Sequence, residues 1–328
     1  MTRPADFGDV TGEYFALRSG AGVILDAHDL VWVRGPDTVR FLDGLLSRAV
    51  ARMEPGTAGR ALLLSPQGKL RATLWLLAGG TEEVGIVTDP GRGAVVVEDL
   101  IRFRIRVDAE ITGDLAPLLG LWGPASGDVL ANAGYPAPDV EHWSRGKEGS
   151  LVAALPFTRS DLPRFAIAGV PEESLVAAGA SRAGDVAATA VRIEVGEPLV
   201  GVDLDEKTIP QEGGVVDGAV DFDKGCYLGQ ELVARIDSRG HVNRTLRGLV
   251  FTTNVLVPPM ADIVHRDKSV GAVTSIGESL ELRAPVALAL VRREIEPGTE
   301  VAVRWEGGET VAVVAAVPLD PSLGRPRS

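Results

Sequence analysis

The sequence predicts an α+β fold of two or three subdomains that ends in a small β-barrel or sandwich. Three observations carry this expectation. Residues 61–111 read as strand, strand, strand, helix, strand, the segregated pattern of an α+β layer. From Leu246 onward the text is almost purely strand-like, punctuated by Pro258-Pro259, Pro297-Gly298 and Gly307-Gly308. The 328 residues are 45% hydrophobic and 24% charged. That length suits two or three domains of roughly 100–200 residues each, and the apolar content argues against wholesale disorder.

The elements follow in order. Val23-Ile24-Leu25 and Leu30-Val31-Trp32-Val33 read as a hairpin turned at residues 26–29. Gly35-Pro36-Asp37 leads into a helix over 38–46, with Asp37 as N-cap and Val39, Leu42, Leu45 and Leu46 at helical spacing. Strands at 61–64 and 70–77 flank the turn Ser65-Pro66-Gln67-Gly68, and a third at 83–88 follows Gly79-Gly80. Residues 90–101 read as helix and 104–111 as strand. Residues 120–150, rich in Gly, Pro and Ala, read as loop. Order resumes at 162–170 and in a helix near 172–178. Residues 230–236 have helical propensity, with Leu232, Val233 and Ile236 able to face a core. The last strands are expected at 246–251, 269–275, 286–293, 300–305 and 310–317. No internal repeat is evident, and 321–328 reads as a frayed tail.

Composition excludes several classes of function. Lys plus Arg is 33 and Asp plus Glu is 45, a net charge of −12; a phosphate backbone is repelled, so no direct nucleic-acid partner is expected. Cys226 is the one cysteine, so there is no disulfide framework and no four-cysteine zinc or iron–sulfur cage. The four histidines, at 28, 142, 241 and 265, are scattered, and no metal site is expected. The N-terminus lacks an apolar signal core. No apolar run approaches the roughly 20 residues of a spanning helix. A cytoplasmic chain with no membrane partner is the expectation, and one copy suffices for the fold.

The chemistry concentrates in residues 191–247. Lys224-Gly225-Cys226-Tyr227 is followed by Gly229-Gln230-Glu231, which sets Cys226 just ahead of a helix N-terminus. The helix dipole and the Lys224 cation both favour a thiolate; a buried structural cysteine is the alternative.

The run K-G-C-Y-x-G-Q-E, continued by V-A-R, resembles the motif of the YgfZ-type folate-binding proteins, relatives of the glycine-cleavage T-protein, an aminomethyltransferase. Further segments fall in the family's order. Arg192-Ile193-Glu194-Val195-Gly196 resembles R-x-E-x-G, and Ile209-Pro210-Gln211-Glu212 resembles I-P-Q-E. Pro66-Gln67-Gly68-Lys69 resembles a P-Q-G-K turn, and Gly271-Ala272-Val273-Thr274-Ser275 resembles G-x-V-T-S. The resemblance spans roughly residues 20 to 295. It implies a three-subdomain cloverleaf around a central hole that accepts tetrahydrofolate. The subdomains are then a central one from 1–50 and 150–244, a second lobe at 51–149, and a C-terminal barrel at 245–328.

The resemblance also implies site residues. Glu194 matches the glutamate that binds the pterin, where a carboxylate accepts two N–H bonds from the aminopyrimidine edge; pairing with Arg192 is the alternative. Arg235 and Arg244 are candidates for the folate's glutamate tail, or else pair with Asp221, Asp223 or Asp237. Tyr227, Gln230 and Glu231 join the folate-binding set, and Cys226 with Lys224 the reactive one. Trp32 and Trp75 either stack on a pterin or fill a core.

One departure matters. The T-protein carries paired aspartates after its Gly-Gly turn, one of them catalytic. Here they align with Arg71 and Ala72, and residues 67–77 contain no acid. An acid from another loop, such as Asp89, could substitute. The implied function is therefore a tetrahydrofolate-binding accessory to iron–sulfur client proteins, including ones that modify tRNA, acting through Cys226. A folate-dependent aminomethyltransferase or demethylase is the alternative, and an interaction module with an empty folate hole is the third reading.

Overall fold

The computed structural model describes residues 3–324, and the predicted tail lies outside them from residue 325 on. The chain runs α1 (Val10–Ser19), β1 (Gly22–Arg34), α2 (Thr38–Leu45), β2 (Ala58–Leu64), β3 (Leu70–Ala78), β4 (Glu83–Thr88), α3 (Gly93–Phe103), β5 (Glu110–Trp122) and α4 (Ser126–Asn132). There follow β6 (Trp143–Arg145), β7 (Leu151–Ala154), β8 (Arg164–Ala168), α5 (Glu172–Ala177), β9 (Ser181–Arg182), α6 (Asp185–Glu194), α7 (Pro210–Gly213) and α8 (Gln230–Arg239). The last six strands are β10 (Arg244–Phe251), β11 (Asp262–His265), β12 (Lys268–Ser279), β13 (Ala284–Arg292), β14 (Glu300–Trp305) and β15 (Gly308–Ala315).

The first nine strands share one sheet, ordered β2-β3-β4-β1-β5-β8-β7-β6, with β9 beside β1. This sheet draws strands from both the expected central subdomain and the expected second lobe. Its two edges meet. Thr57 and His142 form an antiparallel bridge, Ala58 N–H donates to the Glu141 carbonyl, and Trp143 N–H donates to that of Gly56 at 2.9 Å. The rolled sheet needs no exposed edge there. Its inner face packs Leu30, Trp75, Leu77, Val87, Leu118, Trp143 and Leu151 into one cluster. Helices α2 and α3 cover one half of the outer face, and α4 and α5 cover the other.

The two halves echo each other, against the reading of no repeat. β1 runs into Gly35-Pro36 and α2, and β5 runs into Gly123-Pro124 and α4. Both glycines sit at positive φ, 136° and 115°, where a side chain is strained. At each, a Cβ would also meet backbone at 2.4–2.5 Å.

Other local expectations shift. The predicted hairpin at 22–34 is one 13-residue strand. Asp26, at φ 47°, makes a bulge instead of a turn, and the register to β5 slips between Ile24 and His28. The strand expected at 104–111 begins only at Glu110, because Arg106 at φ 56° bends the chain. The supposed loop at 120–150 holds α4 and β6, since Val129 and Leu130 are buried and hold α4 to the sheet. Asp37 occupies the N-cap of α2 but caps nothing there; its carboxylate accepts Asp108 N–H at 2.9 Å.

The C-terminal strands close into a barrel, β10-β13-β12-β11-β14-β15. Strand β11 escaped the sequence reading. Strand β13 shows why the barrel docks as it does. Ala287, Ala289 and Val291 face the barrel core, whereas Val286, Leu288 and Leu290 pack outward on Leu64, Tyr227 and Val233. Both faces are buried, so the strand reads as an unbroken apolar run. No helix among the described residues is long and apolar enough to cross a membrane.

Candidate functional site

Several of the recognised motifs turn out to be joints. Arg192 of α6 donates to the Asp203 carboxylate at 2.6 Å, to Ser275 Oγ at 2.6 Å and to the Glu197 carbonyl at 2.9 Å. Asp203 also accepts from Thr274 and Ser275 hydroxyls at 2.6 Å each and from Leu199 N–H. The arginine of R-x-E-x-G and the T-S of G-x-V-T-S thus meet on one buried carboxylate that pins the barrel to α6.

The P-Q-G-K turn and the cysteine motif also interlock. Gly68 and Gly229 both have positive φ, 74° and 77°. A Cβ on Gly229 would stand 2.4 Å from the Ser65 carbonyl, and one on Gly68 would stand 2.6 Å from Leu232 Cβ. Gly229→Ala is expected to cost about 1–3 kcal/mol from the backbone conformation alone, read as a lower urea midpoint with unchanged slope. An unchanged midpoint would contradict this packing.

The predicted reactive pair separates. Cys226 is exposed, in the loop ahead of α8. The Lys224 ammonium gives its hydrogen bonds to the carbonyls of Asp43, Leu46 and Arg48 at 2.7–2.8 Å. It serves the C-terminal end of α2, where carbonyls lack helical partners. Tyr227 is buried, with its phenol pushed up to about 12 by burial. The Gln230 side chain accepts Tyr227 N–H, and Glu231 and Arg235 are exposed on α8. Arg244 pairs with Glu212 through two contacts at 3.2–3.3 Å. These two and Lys69, Lys207, Arg292 and Arg293 line an open cleft beside the barrel.

Glu194 is buried and accepts Tyr14 O–H at 2.5 Å, with Arg18 Nε at 3.4 Å. That arginine faces the other carboxylate oxygen, outside hydrogen-bond geometry, and burial raises the Glu194 pKa. It lines a pocket with Arg18, Arg159, Glu281 and Leu282, not the cavity described next.

The most enclosed chemistry lies at one end of the rolled sheet. A narrow cleft opens there. Asp89, Thr73, His28, Arg60, Trp75, Arg164 and Glu197 are among its walls. Asp89 follows the last residue of β4. Its carboxylate accepts Thr73 O–H from β3 and Val200 N–H, each at 3.0 Å. Burial pushes its pKa up to about 6, against those two bonds, which favour the ion. Glu197 accepts Thr158 N–H at 2.8 Å and stands 3.7 Å from Arg164. The Arg164 guanidinium donates to the Leu155 and Pro156 carbonyls and lies 4.4 Å from the Phe157 ring centroid. Arg60 lies 5.1 Å from the Trp75 ring centroid, and its Nε has no partner.

The strand expected to carry a catalytic acid has none; its Thr73 donates to the Asp89 carboxylate. Arg71 is no bare cation: it pairs with Asp99 at 2.8 Å and with Glu206 at 2.5 Å. Its positive charge is thereby compensated.

Residues 244–320 match the glycine cleavage T-protein C-terminal barrel domain. The chain is 30% identical to an aminomethyltransferase of Rubrobacter xylanophilus, over 92% of this chain and 84% of that protein. It is 26% identical to one of Mycobacterium leprae, over 96% and 90%. The crystal structure of the glycine cleavage system aminomethyltransferase T of Bartonella henselae superposes with a TM-score of 0.86 at 22% identity, over 96% of this chain and 91% of that one. That likeness is one of fold.

Proposed function

The chain belongs to the aminomethyltransferase family of the glycine-cleavage T-protein, and from that premise we propose that it transfers a one-carbon unit to or from tetrahydrofolate, with Asp89 supplying the carboxylate. Tetrahydrofolate is the family's one-carbon carrier. The observation that carries the reading is the Asp89–Thr73 hydrogen bond at 3.0 Å, which sets a buried acid against the strand where the family's aspartates stand.

The donor set fits the folate. Its pterin edge offers N–H donors and a carbonyl, and the cavity offers carboxylates from Asp89 and Glu197 and an unpartnered Arg60 Nε. Trp75 gives a flat wall. When bound, tetrahydrofolate supplies the nitrogen that carries the one-carbon unit. The chain's residues do the rest. Asp89, ionised above about pH 6, takes a proton from a substrate N–H and stabilises positive charge developing beside it. Thr73 and Val200 N–H hold that carboxylate in one orientation. Glu194, in the neighbouring pocket beside Arg18, is proposed to accept an N–H of the same ligand, and Arg244 and Arg235 are proposed to meet its carboxylate tail.

Titrating tetrahydrofolate against tryptophan fluorescence tests the reading; quenching is expected, and no binding at millimolar ligand overturns it.

A second reading keeps Cys226 as a reactive thiol serving iron–sulfur client proteins, in the manner of the YgfZ branch. Its support is the exposure of Cys226 within K-G-C-Y-x-G-Q-E. Cys226→Ser is expected to leave one-carbon transfer unchanged. Loss of a cluster-dependent enzyme's activity in cells carrying this variant would favour the second reading, and full rescue would sink it.

A further inference from the structure

Nothing in the folate reading above uses His28, yet it is the most unusual side chain in the Asp89 cavity. It is 7% exposed and lines the cavity. Asp29 faces Thr88 at the end of the antiparallel ladder of β1 and β4, and the residues just beyond that pair, His28 and Asp89, both line the cavity. The Thr88 backbone lies beside the ring and favours a proton on it. The ring's Nε2 is buried without any partner. A neutral imidazole has one N–H. If the Thr88 carbonyl takes it, Nε2 is left as a bare lone pair. Arg164 and the lack of solvent keep the ring from taking a second proton.

A buried acceptor with no partner is costly to maintain, and its neighbours leave it so. Asp89 beside it is likewise an acceptor when ionised. The two together make a pair of acceptors on the walls of one cavity, and among the described residues no N–H reaches Nε2.

We propose that His28 Nε2 accepts a hydrogen bond from an N–H of the bound ligand, so that His28 and Asp89 together select a ligand edge carrying two N–H donors. His28 is then a specificity residue and takes no proton itself. The inference rests on the folate reading for the identity of the ligand and on the tautomer for its geometry. An oxygen-edged analogue, which offers lone pairs where the true ligand offers N–H, would meet two acceptors and be rejected.

The test combines imidazole ¹⁵N spectra with tetrahydrofolate titration of the full chain. The His28 signals are assigned by their loss in His28→Leu. In the free protein Nδ1 should carry the proton, and saturating tetrahydrofolate should shift Nε2 upfield. His28→Leu should weaken tetrahydrofolate binding by about 10–100-fold, the value of one buried acceptor left out. His28→Gln, which restores an acceptor, should recover most of it. A proton on Nε2 in the free protein overturns the inference. So does full affinity in His28→Leu with an unmoved Nε2 signal, while the folate reading stands. Failure of the wild type to bind tetrahydrofolate at all overturns the folate reading, and this inference with it.

Discussion

Asp89→Asn is expected to slow one-carbon transfer by about 10²–10³-fold, the range of a lost general acid–base group, while making the folded chain more stable above pH 6. The two effects have one cause. A carboxyl with a folded pKa near 6, against an unfolded value near 3.9, binds its proton more tightly in the native state. Its favourable contribution is complete below the unfolded pKa and is lost as pH rises through 6. At pH 8 the buried ion therefore destabilises the wild type by up to about 3 kcal/mol, and an amide removes that penalty. Quench-flow transfer with ¹³C-labelled donor reads the first effect, and urea unfolding at pH 5 and pH 8 reads the second. A variant that loses activity and stability together at pH 8 would show Asp89 to be structural.

The second large effect is mechanical. Asp203→Ala is expected to cost about 3–5 kcal/mol, because it strands the buried Arg192 guanidinium and frees the Thr274 and Ser275 hydroxyls. For a chain of this size that lowers the melting temperature by on the order of 10 °C. Hydrogen exchange should rise first in β12, where the barrel loses its pin. The double replacement Arg192→Met with Asp203→Leu should recover much of the loss, since no charge is left uncompensated. Equal destabilisation by the single and double variants would contradict this account of the motif arginine.

These two sites show which parts of the molecule were legible before the structure. Barrel strands 300–305 and 310–317 announced themselves because alternation and Gly or Pro turns are local signals. The Gly35-Pro36 and Gly123-Pro124 junctions carried the likeness of the two halves, but a two-residue echo across 88 positions of divergent sequence has no period to detect. Strand β1 misread as a hairpin because Asp26-Ala27-His28-Asp29 has turn composition; a bulge and a turn use the same residue types.

The candidate site was legible in part. The motifs located Arg192, Glu212, Gly229 and Ser275, and the structure gives them joints and pairings that no spacing rule describes. Lys224 was legible as a cation but not as the cap of a helix some 180 residues earlier. Asp89 was visible only as an acid on another loop. What makes it chemical is the sheet register that brings Thr73 and His28 beside it, and register across three strands is a tertiary property. Its signal was indirect: an acidless strand in a family that places acids there calls for a carboxylate from the neighbouring strand end.

The central claim is that Asp89, in its ionised form, assists one-carbon transfer on tetrahydrofolate. The most direct measurement is the pH dependence of single-turnover transfer between pH 5 and pH 8. The account predicts a wild-type rate that falls with a single inflection near pH 6 as the carboxyl takes its proton, and a slow, flat profile for Asp89→Asn. An Asp89→Asn variant that keeps the wild-type rate and the same inflection would contradict it.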